Sequence, residues 1–522
     1  MNFLCTAANS AWVAASLPKL ARFRRALANP KCEQEQILRK LLGSNAETAF
    51  GREHGFAKIR SPEEYRQRVP VRSYDDFAPW IERIRLGESN VLTAERVLRL
   101  IPSSGSTSAR KLIPYTASLQ REFGAAIAPW VARMYLDKPS LATGPAYWSV
   151  SPVAEFQPPA GSQVPVGFEV DTEYLGGFFK FLVDATLAVP GSVRKLRDIG
   201  EFRYATVLHL LRQPDLRLVS VWHPSFLMLL LTPLFTNWER LVDDIKKVDR
   251  RRANEIRRIG PLPEKLWPKL GLISCWADSH AALSVGEIRR EFPGANIQPK
   301  GLIATEGFVS LPFGDQRPVA ACSHYFEFIN EQGQARGLHE LDAAQEYSVV
   351  LSTGGGLYRY ALRDQVRVTG FLGRTPTIEF VGKQDGTSDL FGEKLSQGFV
   401  ASVLARLVAR NRIEADFCML SPEQQERPAK YVLFINAPIT PAEMSIELEG
   451  LLQENPHYRY CVELGQLGRA KVVQASPDAF AKYVEAKQIR GQRIGDIKPA
   501  PLDPNGNWLK HLVSQPACMS SA

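Results

Sequence analysis

Between residues 97 and 292 short apolar runs alternate with longer stretches whose apolar residues recur every three or four positions, and this alternation restricts the fold more than any other feature. The short runs, at 97–101, 146–150, 217–221 and 272–275, suit buried strands. The longer ones, at 118–135, 177–187, 192–212, 225–235, 238–248, 254–258 and 279–292, suit helices that cover them. Strands of this kind are buried by pairing in parallel with helices on their faces. Residues 1–90 read as helices, over 11–27, 33–42 and 74–86, separated by Pro30, Pro62 and Pro70. After Phe292 short strands are expected at 320–323, 325–329, 347–352, 365–369 and 377–381, and Gly382-Lys383-Gln384-Asp385-Gly386 then breaks the pattern. Beyond it come a helix at 394–410, strands at 413–419 and 430–435, a helix at 442–454, a strand at 470–473 and a helix at 478–487. The predicted class is therefore α/β: a large N-terminal α/β domain with parallel-rich sheets, residues 1–382, and a smaller C-terminal α+β domain, residues 383–522, joined by a glycine-flanked hinge. A length of 522 residues, too great for one ordinary core, agrees with that division.

Charge narrows the partners. Lys and Arg outnumber Asp and Glu by 64 to 55, an excess that could attract nucleic acid, an acidic membrane or an anionic substrate. The densest basic run, Lys246-Lys247-Val248-Asp249-Arg250-Arg251-Arg252, lies among Asp243, Asp244 and Glu255 at helical spacing. It reads as a solvated helix face, and no zinc spacing, basic zipper or RNA-binding signature accompanies it. No nucleic-acid partner is expected. The seven cysteines are scattered and contain no Cys-x-x-Cys pair, which favours reduced thiols in the cytoplasm over disulfides or a metal site. Basic residues follow the N-terminal apolar stretch instead of leading it, against a signal peptide. The longest apolar run, 226–235, is too short to span a bilayer, so no integral membrane association is expected.

Four stretches carry the materials of a site. Ser103, Ser104, Gly105, Ser106 and Thr107, with Lys111 shortly after, combine small hydroxyls, a glycine and a point charge. That is the chemistry of a phosphate cradle, and equally of a polar surface turn. Such a loop after a strand lies where ligands bind in parallel sheets. Gly301 through Thr305 and Glu306 to Gly307 puts a threonine and a carboxylate at a strand end, where Glu306 could hold magnesium bridging phosphates or be a turn residue. Gly354-Gly355-Gly356 precedes Tyr358, Arg359 and Asp364; the acid could accept hydrogen bonds from a ribose diol, or the whole could be a glycine-rich hairpin. Lys498 stands in a glycine- and proline-bounded loop from which domain rotation could deliver it to a phosphate, or it is a cationic tail residue.

In this order, and together with the runs at 48–56, 69–92 and 389–395, these stretches resemble the Gretchen Hagen (auxin-responsive promoter) family of acyl acid amido synthetases, within the adenylate-forming superfamily that includes firefly luciferase and acyl-CoA synthetases. The resemblance covers nearly the whole chain. It implies that 103–111 is a phosphate loop, that Thr305 and Glu306 contact phosphate and magnesium, that Tyr358, Arg359 and Asp364 form a third motif whose acid grips the ribose, and that Lys498 assists adenylation. The chain departs from the family at Ser108-Ala109, at Lys383, and at Arg363, which stands where a glycine is usual before the ribose acid.

The activity implied uses ATP and Mg2+ to adenylate a carboxylic acid and then passes the acyl group to an amine, an amino acid in this family. Lys111, Lys498 and Glu306 would be its catalytic groups. Transfer to coenzyme A or an alcohol, and a non-catalytic binding protein, remain alternatives. Asp278-Ser279-His280 holds the residue types of a hydrolase triad but is contiguous, and helix capping suits it better. An acid pocket lined by aromatic side chains is expected, with Phe123, Trp130, Tyr147, Trp148, Phe178 and Phe179 as candidates.

Overall fold

The computed structural model describes residues 2–103, 111–149, 161–167, 177–196, 198–278, 281–384, 386–425, 427–489, 492, 497–506 and 508–513. The segment before residue 86 is helical, as the apolar spacing requires, but its prolines act differently from the expectation. Helix α1, Phe3–Ala28, runs through Pro18, and Pro30 opens α2, Pro30–Ser44. A proline in the first helical turn loses nothing, because the N–H it lacks would have no intrahelical partner there. Pro62 likewise begins the short helix Pro62–Arg68. Helix α3, Tyr74–Arg85, starts with Ser73 and Asp76 capping each other's backbone N–H groups.

The expected strand, loop and helix beginning at residue 97 are instead a β-hairpin followed by a helix. Strands β1, Arg99–Ser103, and β2, Lys111–Tyr115, pair antiparallel with Ser103 opposite Lys111. Lys111 therefore begins a strand and does not end a loop. Leu112, Ile113 and Tyr115 of β2 are buried, so this run is apolar for the same reason as its partner and pairs with it before helix α4, Ala117–Asp137, begins.

The helix-strand alternation builds one sheet of four parallel strands in the order β3-β4-β5-β6. The strands are β3, Ala146–Trp148; β4, Leu218–Ser220; β5, Leu272–Cys275; and β6, Asn296–Pro299. The sequence pattern missed β6, because Asn296-Ile297-Gln298 is not an apolar run. Strands after Phe292 form a second, antiparallel sheet in the order β11-β10-β9-β7-β8, made of β7, Tyr325–Ile329; β8, Ala335–Gly337; β9, Glu346–Ser352; β10, Tyr360–Leu372; and β11, Thr375–Lys383. The strand expected at 320–323 is a turn. Its four residues are at most 5% exposed, so burial of the turn, and not pleating, explains their apolar character. A third sheet of β12, Cys418–Glu423, β13, Ala429–Ile435, and β14, Leu467–Gln474, is mixed, antiparallel between its first pair and parallel between its second. With helices Gln397–Arg410 and Pro441–Leu452 it encloses an apolar core that includes Val403, Leu404, Leu433 and Leu448.

Contacts divide the chain into two compact units. One comprises Met1–Val221, Pro233–Cys275 and Gly294–Phe380, and the other Trp222–Thr232, Trp276–Pro293 and Val381–Ala522. Parts of the crossovers after β4 and β5 thus belong with the C-terminal third of the chain, which no composition shift announces. Among the described residues no helix is long and apolar enough to cross a membrane.

The basic run at 246–252 is exposed at Lys246, Lys247, Arg250 and Arg251. Arg252 departs from the expected solvated face. It is 4% exposed, and its guanidinium donates to the carbonyls of Leu211 and Leu266 at 2.8 and 3.0 Å and pairs with Glu255. Arg252→Ala leaves those buried carbonyls unpaired and is expected to lower stability by about 2–3 kcal/mol, whereas Arg251→Ala is expected to change it by less than about 0.5 kcal/mol, both measured by urea unfolding.

Candidate active site

The β1-β2 hairpin brings the first expected site together at its closing pair. Ser103 is buried and Lys111 half-buried, and the Lys111 ammonium lies 5.8 Å from the centre of the Tyr74 ring. Tyr74 is the first residue of α3, and its hydroxyl accepts from the Leu112 N–H at 2.8 Å, fixing the hairpin against that helix. Ser104, Gly105, Ser106 and Thr107 lie outside the described residues.

Gly301 marks a place where two backbones touch. A Cβ there would stand 1.9 Å from the Ser310 carbonyl oxygen, so only glycine allows the chain from Gly301 to fold back along Ser310. The return is a tight turn in which Ala304 and Gly307 exchange N–H···O bonds of 3.0 and 3.2 Å across Thr305 and Glu306. Both residues therefore stand at the tip, Thr305 half-buried and Glu306 7% exposed. A Glu306 carboxylate oxygen accepts from the Tyr360 hydroxyl at 3.2 Å. Burial, reinforced by that carboxylate, pushes the Tyr360 phenol pKa well up, so Tyr360 remains a donor. Burial also raises the pKa of Tyr74 despite its hydrogen bond with Leu112, with the Glu306 charge among the further causes. Tyr360 was not singled out in the sequence. Its only mark in the sequence was its place directly after Tyr358-Arg359.

The side chains of the expected Tyr358 and Arg359 both lie in the interior and bond to the protein itself. Tyr358 is fully buried, donates to the Leu92 carbonyl at 2.7 Å and stacks on Phe50 with ring centres 5.0 Å apart. The Arg359 guanidinium donates to Glu327 at 2.7 Å and to the carbonyls of Val69 and Arg66 at 2.7 and 3.0 Å. Glu327, 1% exposed, also receives Arg66 at 2.9 Å. These side chains position the start of β10. Gly356, at φ +95°, closes the preceding turn so near Leu92 that a Cβ would lie 2.7 Å from that residue's Cβ. The close approach expected of the three glycines is thus made to the protein itself.

Asp364 is 4% exposed and lies in an irregularity of the β9-β10 pairing between Ala361 and Gln365. Arg363 beside it adopts φ +63°, a left-handed conformation that costs a non-glycine residue about 1–2 kcal/mol. The departure from glycine at 363 therefore falls where the backbone most favours glycine. Lys498, in the other unit, is exposed, with its ammonium 4.9 Å from the Trp276 ring centre and its carbonyl accepting from Tyr483 at 3.3 Å.

The sequence reading also missed a lysine. Lys300 directly follows β6, is 4% exposed, donates to the Ser220 hydroxyl at 2.6 Å, and lies 4.9 Å from the Trp130 ring centre. Burial lowers its pKa from the ordinary lysine value to about 7. Two of the aromatic residues expected around an acid, Trp130 and Trp148, meet here with ring centres 6.0 Å apart, and Phe308 lies 6.4 Å from Trp130. Phe123 reaches the same cluster through Phe308 at 6.3 Å. The side chains of Phe178 and Phe179 lie outside the described ones.

Two outcomes follow. Glu327→Ala takes the carboxylate partner from the buried Arg359 and from the half-buried Arg66, and is expected to cost about 3 kcal/mol in urea unfolding. Because the folded pKa of Lys300 lies below its unfolded value, the unfolded chain binds the extra proton between about pH 7 and the ordinary lysine range. Stability is therefore expected to rise with pH across that window, and Lys300→Met to remove that component of the slope.

The family's N-terminal domain model, described as the GH3 family N-terminal domain, matches residues 19–297, its central domain 318–383 and its C-terminal domain 399–505. The indole-3-acetic acid-amido synthetase GH3.8 of Oryza sativa subsp. indica is 25% identical over 537 aligned positions, covering 90% of this chain and 88% of the relative. Among solved structures, the GH3.15 acyl acid amido synthetase superposes with a TM-score of 0.81 at 20% identity, covering 94% of this chain and 95% of the other. The fold also matches 2-hydroxyisobutyryl-CoA ligase in its postadenylation state, at a TM-score of 0.56 and 13% identity over 92% and 91% of the two chains. Since all three domain models match in chain order, the chain belongs to the GH3 family.

Proposed function

We propose that this protein is an ATP-dependent acyl acid amido synthetase: it adenylates a carboxylic acid and transfers the acyl group to an amine, for which the family makes an amino acid the first choice. The observation that carries the reading is the Glu306 carboxylate held by Tyr360 on the strand that bears Asp364. Lys111 stands across the Tyr74 ring in the same unit. A cation, a buried carboxylate and a second acid in one unit form a suitable set for a magnesium nucleotide. Names of the relatives as amido synthetases support the same class.

In the first half-reaction a carboxylate oxygen bonds to the α-phosphorus of ATP and pyrophosphate leaves. In the second, the amine nitrogen bonds to the acyl carbon, AMP leaves, and the nitrogen gives up a proton. The physical difficulty of the first step is the approach of two anions. Lys111 and Lys498 offset that repulsion, and the hydroxyl-rich loop from Ser103 to Thr107 supplies hydrogen-bond donors. Glu306 would hold a magnesium ion through its carboxylate, and the ion would supply charge neutralisation at the phosphates. Asp364 accepts from the ribose hydroxyls. Tyr358 and Arg359 act as positioning residues, as their internal contacts support. For the chain's organisation we retain a large domain, residues 1–382, and a small one, residues 383–522, that brings Lys498 to the nucleotide. The gap between the central and C-terminal family models supports that boundary. Cytoplasmic residence is part of the proposal, supported by Cys5, Cys32, Cys275, Cys322, Cys418 and Cys461 being free thiols.

The test is acid-dependent exchange of pyrophosphate into ATP, followed by AMP release with amino acids against coenzyme A. Exchange and amino acid-dependent AMP release are expected; absence of exchange with every acid would overturn the reading. Lys498→Ala is expected to slow exchange about 100-fold, and Asp364→Ala to raise KM for ATP about tenfold or more with little effect on KM for the acid. Equal weakening of both substrates counts against the ribose role.

A further inference from the structure

One row of side chains crosses the parallel sheet at the carboxyl ends of its strands. Trp148 is opposite Ser220, Ser220 opposite Ser274, and Ser274 opposite Gln298. Residues directly opposed in neighbouring strands point to the same face. Helix α4 identifies that face, because its Trp130 donates to Gln298 at 3.0 Å and packs on Trp148. Lys300 reaches the row from the end of β6 and donates to Ser220. The row is therefore rich in hydrogen-bond donors inside an aromatic enclosure.

Two of those donors are unmet. Ser274 is fully buried, and neither its hydroxyl nor the buried Trp148 indole nitrogen has a hydrogen-bond partner among the described residues. An indole N–H can only donate, and a buried donor left unpaired costs about 1–3 kcal/mol. A lysine with a depressed pKa is buried beside them. Trp148, Ser274 and Lys300 all adjoin Ser220, and two unmet donors with an ammonium beside them suit an acceptor, most strongly an anionic oxygen, which would also favour the charged form of the lysine. The walls, Trp130, Trp148 and Phe308, are flat and apolar, as a ring would require.

The reacting carboxylate has a separate destination. From Lys300 the chain runs five residues to Thr305 and six to Glu306, and since it folds back at Gly301 the distance is below the roughly 20 Å of an extended segment. A carboxylate paired with Lys300 itself would be held back from phosphorus, whereas a second carboxylate keeps its charge, and a hydroxyl its acceptor lone pairs, throughout the reaction. We propose that Trp148, Ser274 and Lys300 form a specificity site for a second, hydroxyl or carboxylate, oxygen on a ring-containing acyl acid, remote from the carboxylate that is adenylated. This rests on the ligase reading above and adds the substrate class to it.

The experiment uses the full-length protein and matched acids: benzoate, 4-hydroxybenzoate and terephthalate, and phenylacetate against 4-hydroxyphenylacetate. Pyrophosphate exchange gives kcat/KM for each, and quenching of tryptophan fluorescence gives binding without ATP. Wild type is expected to favour an oxygen-bearing member by at least about tenfold in one series. Lys300→Met and Ser274→Ala are each expected to erase most of that preference while retaining exchange with the unsubstituted acid, and Lys300→Arg to keep part of it. No preference in any series would overturn the assignment without recourse to a variant. Variants that slow all acids equally would do so too, showing the row to be structural. Failure of every acid to support exchange would instead remove the ligase reading on which this one stands.

Discussion

A carboxylate buried as completely as Glu327 can persist only if cations reach it, because the loss of hydration otherwise exceeds anything packing returns. Arg66 and Arg359 reach it from two parts of the chain. With its guanidinium committed there and to two carbonyls, Arg359 is held in a left-handed conformation, φ +48°. The next residue is Tyr360, which meets Glu306. The backbone also holds this point, since Arg72 donates to the Arg359 carbonyl and accepts from the Ala361 N–H. An interior ion pair thus sets the direction in which the site opens.

Among the described residues four lysines lie over aromatic rings: Lys111 over Tyr74, Lys300 over Trp130, Lys487 over Tyr483 and Trp508, and Lys498 over Trp276. A ring face steadies an ammonium by about 0.5–2 kcal/mol without cancelling its charge. Such a cation is ordered before an anion arrives and yet still attracts one. For a reaction whose difficulty is the meeting of two anions, this is a favourable resting state, more so than an exposed chain whose order is lost to entropy.

Backbone geometry supports the same arrangement. The turn at Thr305 and Glu306 depends on Gly301 lying against Ser310, and the β9-β10 connection depends on Gly356 beside Leu92. Neither glycine faces a ligand in order to be needed. At Arg363 the opposite holds: a conformation suited to glycine is occupied by a long cationic residue next to Asp364. Backbone strain of this sort is retained where surrounding pairing over-determines it, here by ladder contacts on both sides of the irregularity.

Much of this was legible in the residues alone. Period and length separate helices from strands, so the helix Trp238–Val248 and the strands Leu272–Cys275 and Tyr325–Ile329 fall where the pattern puts them. The order of hydroxyl loop, Thr-Glu, acid and late lysine points to the family because spacing along a chain survives where overall identity does not. What only the tertiary structure decided is partnership. Lys111 heads a strand because β2 has β1 to pair with, Arg252 turns inward because two carbonyls wait there, and Tyr358 and Tyr360, both buried and two residues apart, take different partners, the Leu92 carbonyl and Glu306. Lys300 was hidden for the same reason: nothing in its neighbours along the chain says that Ser220 and Trp130, eighty or more residues away, enclose it. Local order is written in periodicity, but burial of a charge is a property of what folds over it.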